Sequence, residues 1–486
     1  MIPLYQREAE NFLGETEREY YENGAGLKDS FALSAIYEKY ADLFTPDRVQ
    51  ELLAHRDEKK GRFLAHFAAS QYLERSVCDL TDEITTAETQ ATIAWDGQHI
   101  SYRRTCSVVI QEPDRERRRD LVRRLHRVTA AQNPLRITRL ERLSAEAERL
   151  GFDSYCQLFD ELSGLHLDRL TESVNNLLER TEDNWQSLFG TALDRHDIPR
   201  QDPHIIDLRW LLAGSQVDSL FPPERLVPVL IDTLHGLGIH LEETRNLHLD
   251  TEERELKSPR PFCCRVHVPS DVRLVISPRG GRDCQMMLLH EAGHALHGAY
   301  TNPSAPFEFR CLGDYTVTEA LAFLLTFLVN SPAWLQDVAG LAADQDYLDF
   351  TRFHQLYFLR RLGARLGYEQ ELLARGPSET QADQYMARVG GALGVEMCRD
   401  NYLADVDDAL YSASYLRAWM LEVQLRRKLI TEFGESWFSQ PAAGDFLRDL
   451  WWLGQELTAE ELAQQLGYPG LQVEPLIEDV LAPLQG

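Results

Sequence analysis

At 486 residues the chain is too long for one small hydrophobic core, and a prior of roughly 100 to 200 residues per domain predicts two or more lobes. Hydrophobic residues make up 44 % and charged residues 26 %, the balance of a globular protein and not of a disordered or fibrous one. A formal charge of −27 argues against nucleic acid and anionic lipid as partners, because the surface field repels both.

The first residues, MIPLYQREAENFLGE, lack a basic segment followed by an apolar one, so no secretory signal is expected. Apolar residues then recur at three and four positions over most of the chain, and alternating stretches are scarce, which predicts a mainly α fold. Helices are expected over Ala32 to Leu53, Asp120 to Leu150, Leu167 to Ala192 and Tyr347 to Leu373. The basic run Arg115 to Arg127 interleaves Leu121, Val122 and Leu125 at helical spacing, and a solvated helix face is expected there in preference to an anion site. The polar stretch His196 to Pro203 offers a lobe boundary, dividing the chain into 1–197 and 198–486. Cys263 to Val268 and Val272 to Ile276 are β-branched runs joined by Pro269-Ser270-Asp271, a predicted hairpin, and the turn Pro278 to Gly281 follows.

No membrane span is expected: the longest apolar run, Ala320 to Val329, contains Thr326 and is half of the roughly 20 residues a bilayer needs. Cys78, Cys106, Cys156, Cys263, Cys264, Cys284, Cys311 and Cys398 form no C-x-x-C pair, which argues against a disulfide scaffold or a thiolate zinc site and fits a reducing cytoplasm.

Immediately after the predicted hairpin stands His290-Glu291-Ala292-Gly293-His294, an H-E-x-x-H pattern. On a helix, residues four apart are separated by about 6 Å along the axis and about 40° around it, so both imidazoles can converge on one tetrahedral ion. Glu291 can then reach a water on that ion without being a ligand. Leu288, Leu289, Ala292, Ala295, Leu296 and Ala299 would form an apolar back that fixes the helix in a core. Gly293 costs about 1 kcal/mol against alanine in a helix, which makes sense if another chain segment approaches closely. His297 is about 10.5 Å of rise from His290 and is assigned to packing or support.

A catalytic zinc site also needs a third protein ligand. Glu308, Asp314 and Glu319 are the candidates. Glu319 opens a helix that is apolar on nearly every face, and a buried carboxylate there needs a cation. Thr316-Val317-Thr318-Glu319 equally fits a capping box, in which Glu319 only returns to the N-cap amide. These residues alone leave the two readings open.

The pattern H-E-x-G-H-x-x-H at 290 to 297, with a glutamate 25 residues after the second histidine, resembles the M3 oligopeptidases of the thimet oligopeptidase and oligoendopeptidase F group. The resemblance implies one Zn2+ per chain held by His290, His294 and Glu319, with Glu291 as general base and acid. Leu410-Tyr411-Ser412-Ala413-Ser414-Tyr415-Leu416 resembles the tyrosine-rich segment of that family, which implies that Tyr411 and Tyr415 stabilise the oxyanion or hold substrate; a buried stripe of Tyr411, Tyr415, Trp419 and Val423 is the plain alternative. The chain departs from the family in having no histidine after His354; Asn401 to Asp405 stand in that region. A closing segment, Gly434 to Trp437, is similar as well.

The implied protein is a cytoplasmic zinc metalloendopeptidase acting on short oligopeptides. It would have an N-terminal helical lobe, 1–197, a catalytic lobe, 198–486, and a deep channel between them. Strand Val272 to Ser277 is expected to pair with an extended substrate. A zinc carboxypeptidase of a related H-E-x-G-H family would use the same metal and base but add a cationic group for the substrate terminus. A silent, zinc-stabilised helical binding protein would have no use for Glu291.

Overall fold

The computed structural model describes residues 2–213 and 215–482. Among the described residues the protein is mainly helical, with one two-stranded and one three-stranded sheet. Several of the expected long helices are broken. The stretch 32–53 divides into Leu33–Lys39, a short turn of helix at Ala41–Phe44 and Pro46–Leu53, where the Thr45 hydroxyl accepts the Arg48 N–H and Pro46 fixes the new start. Leu167–Arg180 and Glu182–Arg195 are likewise separate, whereas Gln345–Arg375 is one continuous helix.

The chain forms two compact units that interleave along the sequence: residues 1–68, 215–348 and 417–486 make the first, and residues 69–214 and 349–416 the second. The expected division at 197/198 is therefore replaced by four crossings. Three of them fall inside continuous helices, Lys59–Ser76, Gln345–Arg375 and Tyr411–Phe433, so no loop composition marks them.

In the first unit the predicted hairpin is present as Phe262–His267 and Asp271–Val275, paired antiparallel with Cys263 opposite Leu274. A third strand, Leu247–Asp250, runs parallel to Asp271–Val275 on its other side. Strand Asp271–Val275 is thus central and has no free edge for a substrate, contrary to expectation. The edge strand Phe262–His267 is itself engaged, since the Arg265 N–H donates to Glu17 of the N-terminal helix Ile2–Gly24 at 2.9 Å.

The helix that carries the histidines, Arg282–Tyr300, starts after Gly281 (φ 92°), and Asp218 accepts the Arg282 N–H at 3.0 Å. Leu288, Leu289, Ala292, Ala295 and Leu296 are all buried, as the helical arithmetic predicts. Against it lies Tyr315–Thr326, whose Val317, Ala320, Leu321, Leu324 and Leu325 are buried. Each large apolar side chain so buried contributes roughly 1.5–3 kcal/mol, which locks the two helices in register. A Cβ at position 293 would lie 2.6 Å from Ala322 Cα; only glycine permits that approach. The stretch Phe307–Asn330 has the length and apolarity of a membrane span, yet 72 % of its most apolar window is buried inside the protein.

The second unit packs Ile93, Val109, Leu121, Val122, Leu125 and Ile206 into one core cluster. Its hairpin, Thr92–Trp95 with Gln98–Ser101, turns at Asp96-Gly97, both left-handed. The basic run lies on the helix Arg115–Ala131 but is not simply solvated. Arg118 is 1 % exposed, stacks over Trp210 at 4.4 Å and lies 3.5 Å from Asp207, which also pairs with Arg115 at 3.0 Å. A buried carboxylate from another helix explains why arginine occurs on the packed face.

Candidate metal centre

His290, His294 and Glu319 each bring one ligand atom into a common site, all within 4.8 Å of one another. His290 Nε2 and His294 Nε2 are 3.2 Å apart, and they lie 3.3 and 3.6 Å from Glu319 Oε2. A tetrahedron with bonds of about 2.0–2.1 Å has edges of about 3.4 Å, so the spacing is that of zinc ligands.

Hydrogen bonds fix which ring nitrogens face the site. The Thr326 hydroxyl donates to Ala322 O at 2.9 Å, so it must accept from His290 Nδ1, 3.2 Å away. Thr318 Oγ1 is 3.1 Å from His294 Nδ1 and 3.3 Å from His297 Nδ1, while His297 Nε2 reaches Gly454 O at 3.0 Å. The carbonyl takes the His297 Nε2–H; His297 Nδ1 then accepts the Thr318 proton, and Thr318 accepts the His294 Nδ1–H. Both Nε2 atoms of the pair therefore present lone pairs towards each other and towards a carboxylate. A proton can bridge only two of these groups, whereas a divalent cation engages all three at once, and the donor set is one that zinc favours.

Burial raises the Glu319 carboxyl, and where the two imidazoles are protonated they outweigh it and hold the group well below the usual carboxylate range. His297 is buried and pushed down to about 3 by desolvation, so it serves the site as a neutral link. Neither rival carboxylate belongs to this group. Asp314 caps the helix Tyr315–Thr326 by accepting Thr316 N–H at 2.9 Å and also accepts Ala459 N–H at 2.9 Å. Glu308 accepts from Gln6. Since Asp314 is the cap, Glu319 is not part of a capping box.

Glu291 stands one step around the helix, with its Oε2 accepting the Cys263 N–H at 2.9 Å. Burial raises its carboxyl above the ordinary value. Phe323 lies against His290, with ring centroids 5.2 Å apart, and stacks on Trp419 at 5.1 Å.

Tyr411 and Tyr415 belong to the second unit, where they open the helix Tyr411–Phe433 and meet edge to face at 4.8 Å. They are half-buried, as is Trp419 one turn further on, while the residues between them are buried. A wholly buried stripe is therefore not what forms; of the four residues only Val423 is fully enclosed. In the stretch Asn401 to Asp405, Asp405 accepts from Tyr385 at 3.0 Å and pairs with Arg361.

The sequence assigned no role at the site to Thr318, Thr326 or the Cys263 amide. Thr318 and Thr326 are detectable in retrospect: they flank Glu319 on one face of a helix otherwise almost entirely apolar. The Cys263 contact depends on how a strand meets a helix and leaves no local signal. No model of a known protein family matches this sequence, and no curated protein matches it.

Proposed function

We propose that the protein is a zinc metallopeptidase that hydrolyses peptide bonds in short oligopeptides, in the manner of the M3 oligopeptidases it resembles. The observation that carries this reading is the convergence of two imidazole lone pairs and one carboxylate, with a second carboxylate, Glu291, beside them and outside the ligand set. His290, His294 and Glu319 would hold the ion. When bound, zinc polarises a carbonyl and makes water a nucleophile near neutral pH.

The remaining work falls to the chain. Glu291 takes the proton from the attacking water and returns it to the leaving amine. The Cys263 amide holds one Glu291 oxygen, leaving the other to move the proton. The resemblance would make Tyr411 and Tyr415 donors to the oxyanion. The central position of Asp271–Val275 removes strand addition on that strand from the mechanism, so the substrate is held by other groups.

The test combines metal analysis with a mixed peptide pool. The native protein should contain zinc and release products, identified by mass, that vanish with a chelator. Glu291→Gln should keep its zinc and lose hydrolysis. His290→Ala or His294→Ala should lose both. Hydrolysis retained by Glu291→Gln would refute the mechanism, and release of single C-terminal residues would assign the protein to the carboxypeptidases.

A further inference from the structure

We infer that His235, His240 and Glu242 form a second site for a divalent transition cation, distinct from the one at His290. One ligand atom from each of the three lies within 4.8 Å of the other two. The imidazole centroids are 4.7 Å apart, and Glu242 lies 3.8 Å from His235 Nε2 through one oxygen and 3.8 Å from His240 Nδ1 through the other. Neither imidazole has a hydrogen-bond partner within 3.5 Å among the described residues, so their ring nitrogens remain available to a metal.

The backbone builds this arrangement. The helix Pro223–Gly236 ends in a reversal in which Ile239 N–H donates to Leu234 O at 2.8 Å and Gly238 N–H to His235 O at 2.9 Å, with Gly238 at φ 66°. That left-handed glycine folds the chain back and brings His240 over His235. The turn is held on both sides. Arg448 donates to Gly238 O at 3.2 Å, and a Cβ at position 236 would lie 2.6 Å from Phe438 O. The His240 carbonyl accepts from Glu243 N–H, Thr244 N–H and the Thr244 hydroxyl at 3.0, 3.2 and 3.0 Å. The three Cα positions are thus fixed by packing, while the side chains are exposed enough to close the last fraction of an ångström around an ion.

Two imidazoles and a carboxylate select zinc, nickel or copper over calcium and magnesium, which take oxygen ligands. The net charge of −27 favours any cation at the surface. The role that follows from position is a staple. Thr244 Oγ1 lies 3.3 Å from Tyr300 OH, and Asn246 donates to Ala299 O at 2.8 Å, so the turn that the ion would close sits on the C-terminal end of the histidine helix.

The experiment is a metal titration of the full-length protein. The apo protein should take up two equivalents of zinc and retain both through gel filtration; His240→Ala and Glu242→Gln should retain one. Protein loaded first with one equivalent of zinc and then given Cu2+ should show a copper spectrum with two nitrogen ligands, absent in His235→Ala. The second equivalent should raise Tm by a few degrees in the native protein and not in the variants. Equal retention by native protein and His240→Ala, or a copper signal unchanged by His235→Ala, overturns the inference. A single equivalent lost with His240→Ala but not with His290→Ala would instead overturn the catalytic reading and leave this site standing.

Discussion

The Thr326 hydroxyl has one proton and gives it to Ala322 O, so His290 Nδ1, 3.2 Å away, must be the donor in their contact. Through that bond a threonine on one helix sets the tautomer of a histidine on another and aims its Nε2 lone pair at the site. Removal of such supporting partners lowers metal affinity about 10–100-fold in related chemistry. Thr326→Val, which keeps the shape and removes the acceptor, should therefore weaken zinc binding by that factor in competition with a chromophoric chelator, with the fold retained. Thr326→Ser should recover most of the loss. Unchanged affinity in Thr326→Val would mean that packing alone orients the ring.

At Gly293 the two helices approach closely. An alanine there would set Cβ 2.6 Å from Ala322 Cα and 3.1 Å from Leu321 O, both backbone atoms with no rotamer to yield. Overpacking of this kind costs about 1–3 kcal/mol, and the gain in helix propensity returns at most about 1 kcal/mol of it. The helix Tyr315–Thr326 carries Glu319, so its displacement also opens the ligand triangle. Gly293→Ala should lower both the Tm and the zinc affinity. A stability loss without any change in affinity would show that the helices separate elsewhere.

The histidine helix and its apolar back were legible in the sequence, because both depend on residues three or four positions apart; a glycine inside that helix pointed to a close approach, although its partner, Ala322, lies 29 positions on. The choice of Glu319 over a capping box was not legible. Asp314 takes the cap, two residues before the Thr316 start that the motif suggested; aspartate is the stronger cap, but the capping-box pattern at 316–319 competed with it. The sheet shows a similar limit. Its hairpin was predicted, but Leu247–Asp250 is only four residues long and pairs across a gap of more than twenty, which turned an expected edge into a central strand. Lobe boundaries were hidden for a different reason, since three crossings between units lie within helices and have no turn residues to announce them.

Tyr411 and Tyr415 meet edge to face and remain half-buried, so each hydroxyl can be removed without opening a large cavity. If Tyr415 donates to the oxyanion, Tyr415→Phe should reduce kcat about 100-fold, the loss typical of one such donor, while zinc content and KM change little. Tyr411→Phe tests the other donor in the same assay. A fall in zinc content equal to the fall in rate would make either residue structural, and two silent variants would remove the pair from the mechanism.

His126 in the second unit gives the fold an acid limit of its own. It is buried against Asn401, whose side-chain N–H lies 3.2 Å from Nε2, and that nitrogen is therefore the acceptor of a neutral ring. Desolvation, with help from His204 and Arg209, pushes its pKa down to about 3 from an ordinary 6.5. The folded state thus refuses a proton that the unfolded chain accepts. The stabilisation is fully present above pH 6.5 and is lost as the pH falls towards 3, with a slope of at most about 1.4 kcal/mol per pH unit for one site. His126→Gln retains an acceptor but cannot titrate. Urea midpoints measured from pH 7 to pH 4 should therefore converge, the native protein losing its advantage over the variant as acid is added. A difference that stays constant across that range would show that His126 is protonated equally in both states and that the acid limit lies in another group.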